Sequence, residues 1–141
     1  MPQTRFSIET QGPGLYEFTD RLAAWVAESG TDGGDALLTL FIRHTSASLL
    51  VQENAAPEVQ DDLLDFLDRL APPADDPAMA YLRHRQEGPD DMPAHIKAAL
   101  LPVSLQIPVS EGHMTLGTWQ GVYLVEHRTS PHRREVVAML R

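Results

Sequence analysis

Apolar positions recur along this chain with two periods. Residues 3–10 alternate, with Phe6 and Ile8 on one face, and predict a first strand that "GPG" at 12–14 breaks. From residue 15 to 30 the spacing of Phe18, Leu22, Trp25 and Val26 is helical, with Gly30 as the stop and "TDGGD" as a turn. Residues 37–43 are nearly all apolar and predict a strand central in its sheet, and 48–52 a second strand. The clearest helix follows Asn54. Pro57 sits in its first turn, Val59, Leu63, Phe66, Leu67 and Leu70 form the stripe, and Pro72 and Pro73 end it. Residues 71–91 form a polar connection longer than usual, whose aromatic and histidine content predicts order. A short helix capped by Asp90 or Asp91 ends at Pro102. Strands at 103–109, 114–118, 120–127 and 134–140, with turns at 110–113 and 129–132, complete an antiparallel meander. The pattern is α+β in one domain: a sheet or sandwich of mainly antiparallel strands with two or three helices.

Composition narrows the chemistry. The 141 residues contain no cysteine, which excludes disulfides, thiolate catalysis and cysteine-based metal sites, and fits a reducing compartment. No apolar run is long enough for a membrane span, and "MPQTRFSIET" lacks a signal core, so a cytoplasmic protein without a membrane partner is expected. The net charge of −9 leaves no broad basic surface for nucleic acid. Acids gather in "DDLLDFLDRLAPPADD" and "EGPDD", whereas "HRTSPHRREV" is locally basic. A small focused anion site is compatible with that distribution.

The six histidines carry the most information. Any metal here must use histidine nitrogen and carboxylate oxygen, and no short zinc motif is present, so a site is assembled from distant segments. Strand parity places Leu38, Leu40, Ile42 and His44 on one face. It places Tyr123, Val125 and His127 on one face of a later strand and Val122, Leu124 and Glu126 on the other. His44 and His127 either line a pocket or cap their strands through backbone hydrogen bonds. His95 is a satisfied core-boundary residue or a ligand oriented by Asp90 or Asp91. His84 precedes the same segment. His113 and His132 read as solvent residues. Thr45, Ser46 and Ser48 supply hydroxyls after a strand and suit phosphate oxygens. Arg128, Arg133 and Arg134 bind phosphate or form a solvated cluster. Trp119, flanked by glycines, covers a planar ring or packs in a core or subunit contact.

The runs "HTSASL", "QEN", "YLRH", "EGPDDMPAHIKAAL", "IPV", "LGTWQGVYLVEHR" and "RRE" together resemble the YjbQ-like family, UPF0047, over nearly all of residues 5–141. The resemblance implies a two-layered α+β sandwich that assembles as a homotrimer, with sites near subunit boundaries. His44, His84, His95, His127, Asn54 and Asp91 match the family pattern. It implies a divalent ion, zinc or magnesium, on His84, His95 and His127, with His44, Asp91 and Glu126 as catalytic groups. Members are described as secondary thiamine-phosphate synthases, which join hydroxymethylpyrimidine diphosphate to a thiazole phosphate and release diphosphate. In that reaction Thr45, Ser46, Ser48 and Arg128 hold phosphate and Trp119 stacks on a ring. Two alternatives stand beside it. One is metal-dependent hydrolysis of a small phosphorylated or acyl compound, with Asp91, Glu126 or Glu53 as base. The other is a non-catalytic trimeric metal- or ligand-binding protein.

Overall fold

The computed structural model describes residues 2–30 and 33–141, so Thr31 and Asp32 of the expected turn lie outside the described residues. The elements in order are β1 (Gln3–Thr10), β2 (Gly14–Glu17), α1 (Thr19–Glu28), β3 (Ala36–Ile42), β4 (Ala47–Glu53), α2 (Pro57–Leu70), a single 3₁₀ turn at Pro77–Met79, α3 (Asp91–Leu100), β5 (Ser104–Ser110), β6 (His113–Met114), β7 (Gln120–Glu126) and β8 (His132–Leu140). The strands form a five-stranded sheet, β1-β8-β3-β5-β6, and a three-stranded sheet, β2-β7-β4. Every pairing is antiparallel. Curled antiparallel sheets with a few flanking helices are the α+β architecture expected.

The core lies between the sheets. β3 contributes Leu38, Leu40 and Ile42, β8 contributes Val136, Ala138 and Leu140, and the smaller sheet answers with Leu49, Val122 and Leu124. The opposite face of β3 is less covered: Phe41 is 50% exposed. β7 is buried from Gly121 onward because both its faces are used. Val122 and Leu124 point into the core, and Tyr123 lies on the other side, where Gln60 of α2 donates to its hydroxyl at 3.2 Å. Burying such strands removes apolar surface worth roughly 25 cal/mol per Å².

Two element boundaries differ from the sequence reading. Residues 14–17 are a strand rather than the first turn of a helix, because Gly14–Glu17 pairs with Glu126–Tyr123. The Tyr16 hydroxyl accepts from Gln11 N and donates to Gly12 O, fixing the bend, and α1 starts where Phe18 N donates to Val122 O. The strand expected at 114–118 stops at Met114. Val109 pairs with Met114, and the next partner would be Pro108, which has no N–H to return the bond. Thr115 uses the Pro108 carbonyl and the chain then leaves the sheet. Between β5 and β6, Glu111 and Gly112 both take positive φ, 52° and 78°, the geometry of a tight two-residue hairpin turn.

α2 is amphipathic as expected, yet none of its residues is fully buried, and Phe66 and Leu70 are 62% and 52% exposed. Its N-terminus is held by Glu53, whose carboxylate accepts from Ala56 N at 2.9 Å. Asp68 on its far turn accepts from the buried Lys97 of α3 at 2.7 Å. No helix is long and apolar enough to cross a membrane among the described residues.

Candidate metal centre and its surroundings

α3 begins with two consecutive carboxylates that face different partners. Asp90, at the N-cap, accepts from Arg128 Nε at 2.8 Å and from Thr129 N at 3.0 Å. Burial works against its charged form, but those bonds win and hold the carboxyl down to about 2. Asp91, 2% exposed, receives Arg128 Nη1 on Oδ1 at 2.9 Å. Its Oδ2 lies 2.9 Å from His84 Nε2 and 3.2 Å from His95 Nε2. Burial again opposes ionisation, and the His84 contact with the His95 and Arg128 charges still draws the carboxyl below its ordinary value. Asp91 and His95 meet because residues four apart share a helix face.

The His95 ring is held from behind, and the segment that carries His84 is fixed by its neighbour. His95 Nδ1 donates to the Thr45 carbonyl at 2.8 Å. His84 belongs to the long connection, which Arg85 organises: its guanidinium donates to the carbonyls of Ala74, Met79, Ala80 and Leu82. The order expected for this segment comes from that arginine, whose role has no signal in the sequence. Glu87 likewise carries no signal in the sequence; its Oε2 lies 3.3 Å from His84 Nε2, three residues on. One ligand atom each from His84, Asp91 and His95 lies within 4.8 Å of the others.

That donor set fits a divalent ion. Because the Thr45 carbonyl can only accept, His95 Nδ1 carries a proton; once Nε2 is deprotonated the ring presents a lone pair there, and a carboxylate oxygen faces it. Two acceptors at 3.2 Å need a cation between them, either a proton or a metal. Two imidazoles and one carboxylate are the ligands of sites that keep positions for water or substrate.

Glu126 and His127 lie in a second, separate polar group. Glu126 is fully buried on the core face and accepts from Thr10 Oγ1 at 2.6 Å, Arg134 Nε at 2.7 Å, and the backbone N–H of His127 and Arg128. Arg134 Nη2 also binds it and reaches the carbonyl and hydroxyl of Ser46. Burial would raise the Glu126 carboxyl, and the Arg134 and Thr10 bonds outweigh it, so it stays ionised. Its lone pairs are occupied by protein donors, and Arg134 is a core ion pair rather than a solvated cluster residue. His127, 4% exposed, shares a hydrogen bond with Ser48 Oγ at 2.9 Å. Burial, then the Lys97 and Arg134 charges, press it to about 4, so it is neutral at pH 7. His127 is not part of the His84–Asp91–His95 group.

The remaining expected residues are placed as follows. His44 is partly buried and accepts from Glu135 N on Nε2 at 2.8 Å, the strand-capping bond; burial and Arg134 lower its pKa. Ser46 and Ser48 are buried with protein partners, and Thr45 is exposed. Arg128 is paired with Asp90 and Asp91 and also donates to Glu87 O. Trp119 is 62% exposed, and Asn54, which donates to Glu17, bonds its carbonyl. Both stand at the end of β7 opposite His127, on the order of 25 Å along the strand.

Comparison with known proteins identifies the family and the fold. The family described as "UPF0047 protein YjbQ-like" matches residues 4–141. The UPF0047 protein sll1880 of Synechocystis sp. is 51% identical over 130 residues, 92% of this chain and 84% of that protein. The UPF0047 protein YjbQ of Salmonella typhimurium is 43% identical over 88% of this chain and 83% of its own length. Among solved structures, a YjbQ/UPF0047 family protein from Clostridium acetobutylicum superposes with a TM-score of 0.85 at 33% identity, covering 98% of this chain and 99% of that one. The hypothetical protein APE1520 of Aeropyrum pernix gives 0.86 at 26%, covering 100% and 98%. The chain therefore belongs to the UPF0047, YjbQ-like family.

Proposed function

We propose that His84, Asp91 and His95 hold a divalent metal ion, and that this centre hydrolyses a small phosphorylated or acyl compound. The convergence of two imidazole nitrogens and one buried carboxylate oxygen on one point carries the reading. Two nitrogen donors favour zinc over magnesium, which prefers oxygen and water. Such an ion supplies Lewis acidity and a water of lowered pKa. The protein's own part is positional. Thr45 holds the His95 ring through Nδ1, Arg128 holds Asp91 through Oδ1, and Arg85 fixes the segment that carries His84. Of the carboxylates in reach, Asp91 and Glu126 are bonded to protein donors and Glu53 caps α2. Glu87, 63% exposed and beside His84, is the group placed to take a proton from water.

Joining two ring substrates asks more of the site. Trp119 stands far along β7 and Arg128 is already paired, which favours hydrolysis over the thiamine-phosphate reaction. A homotrimer is supported by α2, whose Phe66 and Leu70 lie open on a single chain; a second copy is the occupant we assign to that face. The functional test is release of product from a panel of small phosphate and acyl esters by zinc-loaded protein. Turnover that His95→Ala abolishes is expected. No turnover at full zinc occupancy leaves a metal-binding module without catalysis.

A further inference from the structure

Of the groups expected to bind phosphate, Ser46, Ser48, Arg128 and Arg134 are engaged inside the protein, whereas Arg133 stands on a surface suited to an anion. Strand alternation in "HRRE" turns Arg134 into the core and leaves Arg133 and Glu135 on the outer face of the five-stranded sheet, where they pair with Glu9 and Ser7 of β1. Arg43, just past β3, reaches the same place. A cavity of about 360 Å³ opens there, lined by Ser7, Arg43, His44, Arg133, Arg134 and Glu135.

Its charge is positive on balance. Arg134 is neutralised by Glu126, and Glu135 by Arg43 at 2.6 Å with Arg5 at 3.4 Å. Arg133 donates Nε to Ser7 Oγ at 2.6 Å, and Glu9, at 3.9 Å, is the carboxylate nearest to it among the described residues. Its two terminal nitrogens have no close acceptor among the described residues. His44 adds a donor: with Nε2 accepting from Glu135 N, its proton sits on Nδ1. In a chain of net charge −9, this is where a small anion meets cations.

His44 also lines a neighbouring hollow of about 280 Å³, walled by Thr45, His95, Ala98, Ala99 and Val103. His44 thus stands as a shared wall between the cationic cavity and the apolar hollow that His95 lines.

We infer that the Arg43–His44–Arg133 cavity is a phosphate subsite that anchors one end of the substrate while its reacting group lies at His95. The terminal nitrogens of Arg133, the Arg43 nitrogens that Glu135 does not use, and an imidazole N–H can meet the several oxygens of a tetrahedral phosphate from different sides. The substrate class is then a small compound with a phosphate at one end, a short apolar body, and the bond to be cleaved at the other. The inference rests on the metal reading for the reacting end and is independent of it for the anchoring end.

The test is titration of inorganic phosphate into chelator-treated, metal-free full chain, followed by phosphorus NMR or calorimetry. Binding is expected without metal, weakened at least tenfold by Arg133→Gln and by Arg43→Gln, and unchanged by Arg69→Gln, which removes an equal charge from α2. Equal affinity in all three variants, absence of binding at millimolar phosphate, or binding seen only after zinc is added overturns the subsite. Zinc stoichiometry, measured separately, decides the metal reading: a chain that binds phosphate through Arg133 but no zinc sinks the metal centre alone.

Discussion

His95 donates its Nδ1 proton to the carbonyl of Thr45 across 2.8 Å, which ties α3 to the residue that follows His44. The bond decides the chemistry of the ring: it directs the free lone pair at Asp91, and it brings a helix from late in the chain against the end of an early strand. Asp91 in turn receives Arg128 from just past β7. The three candidate ligands all come from residues 84–95, so the centre is local in sequence and not built from the distant segments expected; the long-range parts are its supports, Thr45 behind His95 and Arg128 on Asp91.

The buried ring of His127 makes stability depend on pH. Its ordinary pKa is 6.5 and the fold holds it at about 4, so between those values the unfolded chain binds a proton that the folded chain refuses. Its contribution is full above pH 6.5, falls as pH drops toward 4, and is exhausted below, a span of about 3 kcal/mol. Urea midpoints measured from pH 7.5 to 4 should show this slope, and His127→Gln should flatten it. Parallel curves for the two proteins would contradict the assignment.

Arg134 and Glu126 should be destabilising to separate and tolerable to remove together. Arg134→Met leaves a buried carboxylate whose strongest donor is gone and should cost about 3–5 kcal/mol. Adding Glu126→Leu should recover most of that loss, because the unpaired charge is gone. Chemical denaturation of both single variants and the pair gives the coupling; strict additivity would mean the pair is not a unit.

Much of this was legible in the chain, and the limits have physical causes. Strand parity placed Glu126 and His127 on opposite faces of β7, since alternation survives in any extended strand. The spacing of Asp91 and His95 placed them on one helix face. Arg134 was not legible: "HRRE" reads as a surface cluster until pairing with Ile8 shows that its register points inward. His84 depends on a connection whose shape is set by one guanidinium binding backbone carbonyls, a pattern with no sequence period. Leu15–Glu17 misled because a short apolar run before a helix has the same spacing as its first turn.

Assembly should depend on α2. Phe66→Asp with Leu70→Asp places charge on its open apolar face and, in the homotrimer reading, should yield monomers in light scattering at micromolar concentration. The helix itself should persist by circular dichroism, since neither side chain is packed in the single chain. Unchanged particle mass would assign the assembly to another surface.

The central claim is that one divalent ion sits on His84, Asp91 and His95. Equilibrium dialysis against zinc with elemental analysis tests it directly, on the full chain and on His84→Ala, Asp91→Asn and His95→Ala. The account predicts one zinc per chain, with affinity reduced at least a hundredfold in each variant. Wild-type protein that retains no zinc, or variants that retain it undiminished, would contradict it.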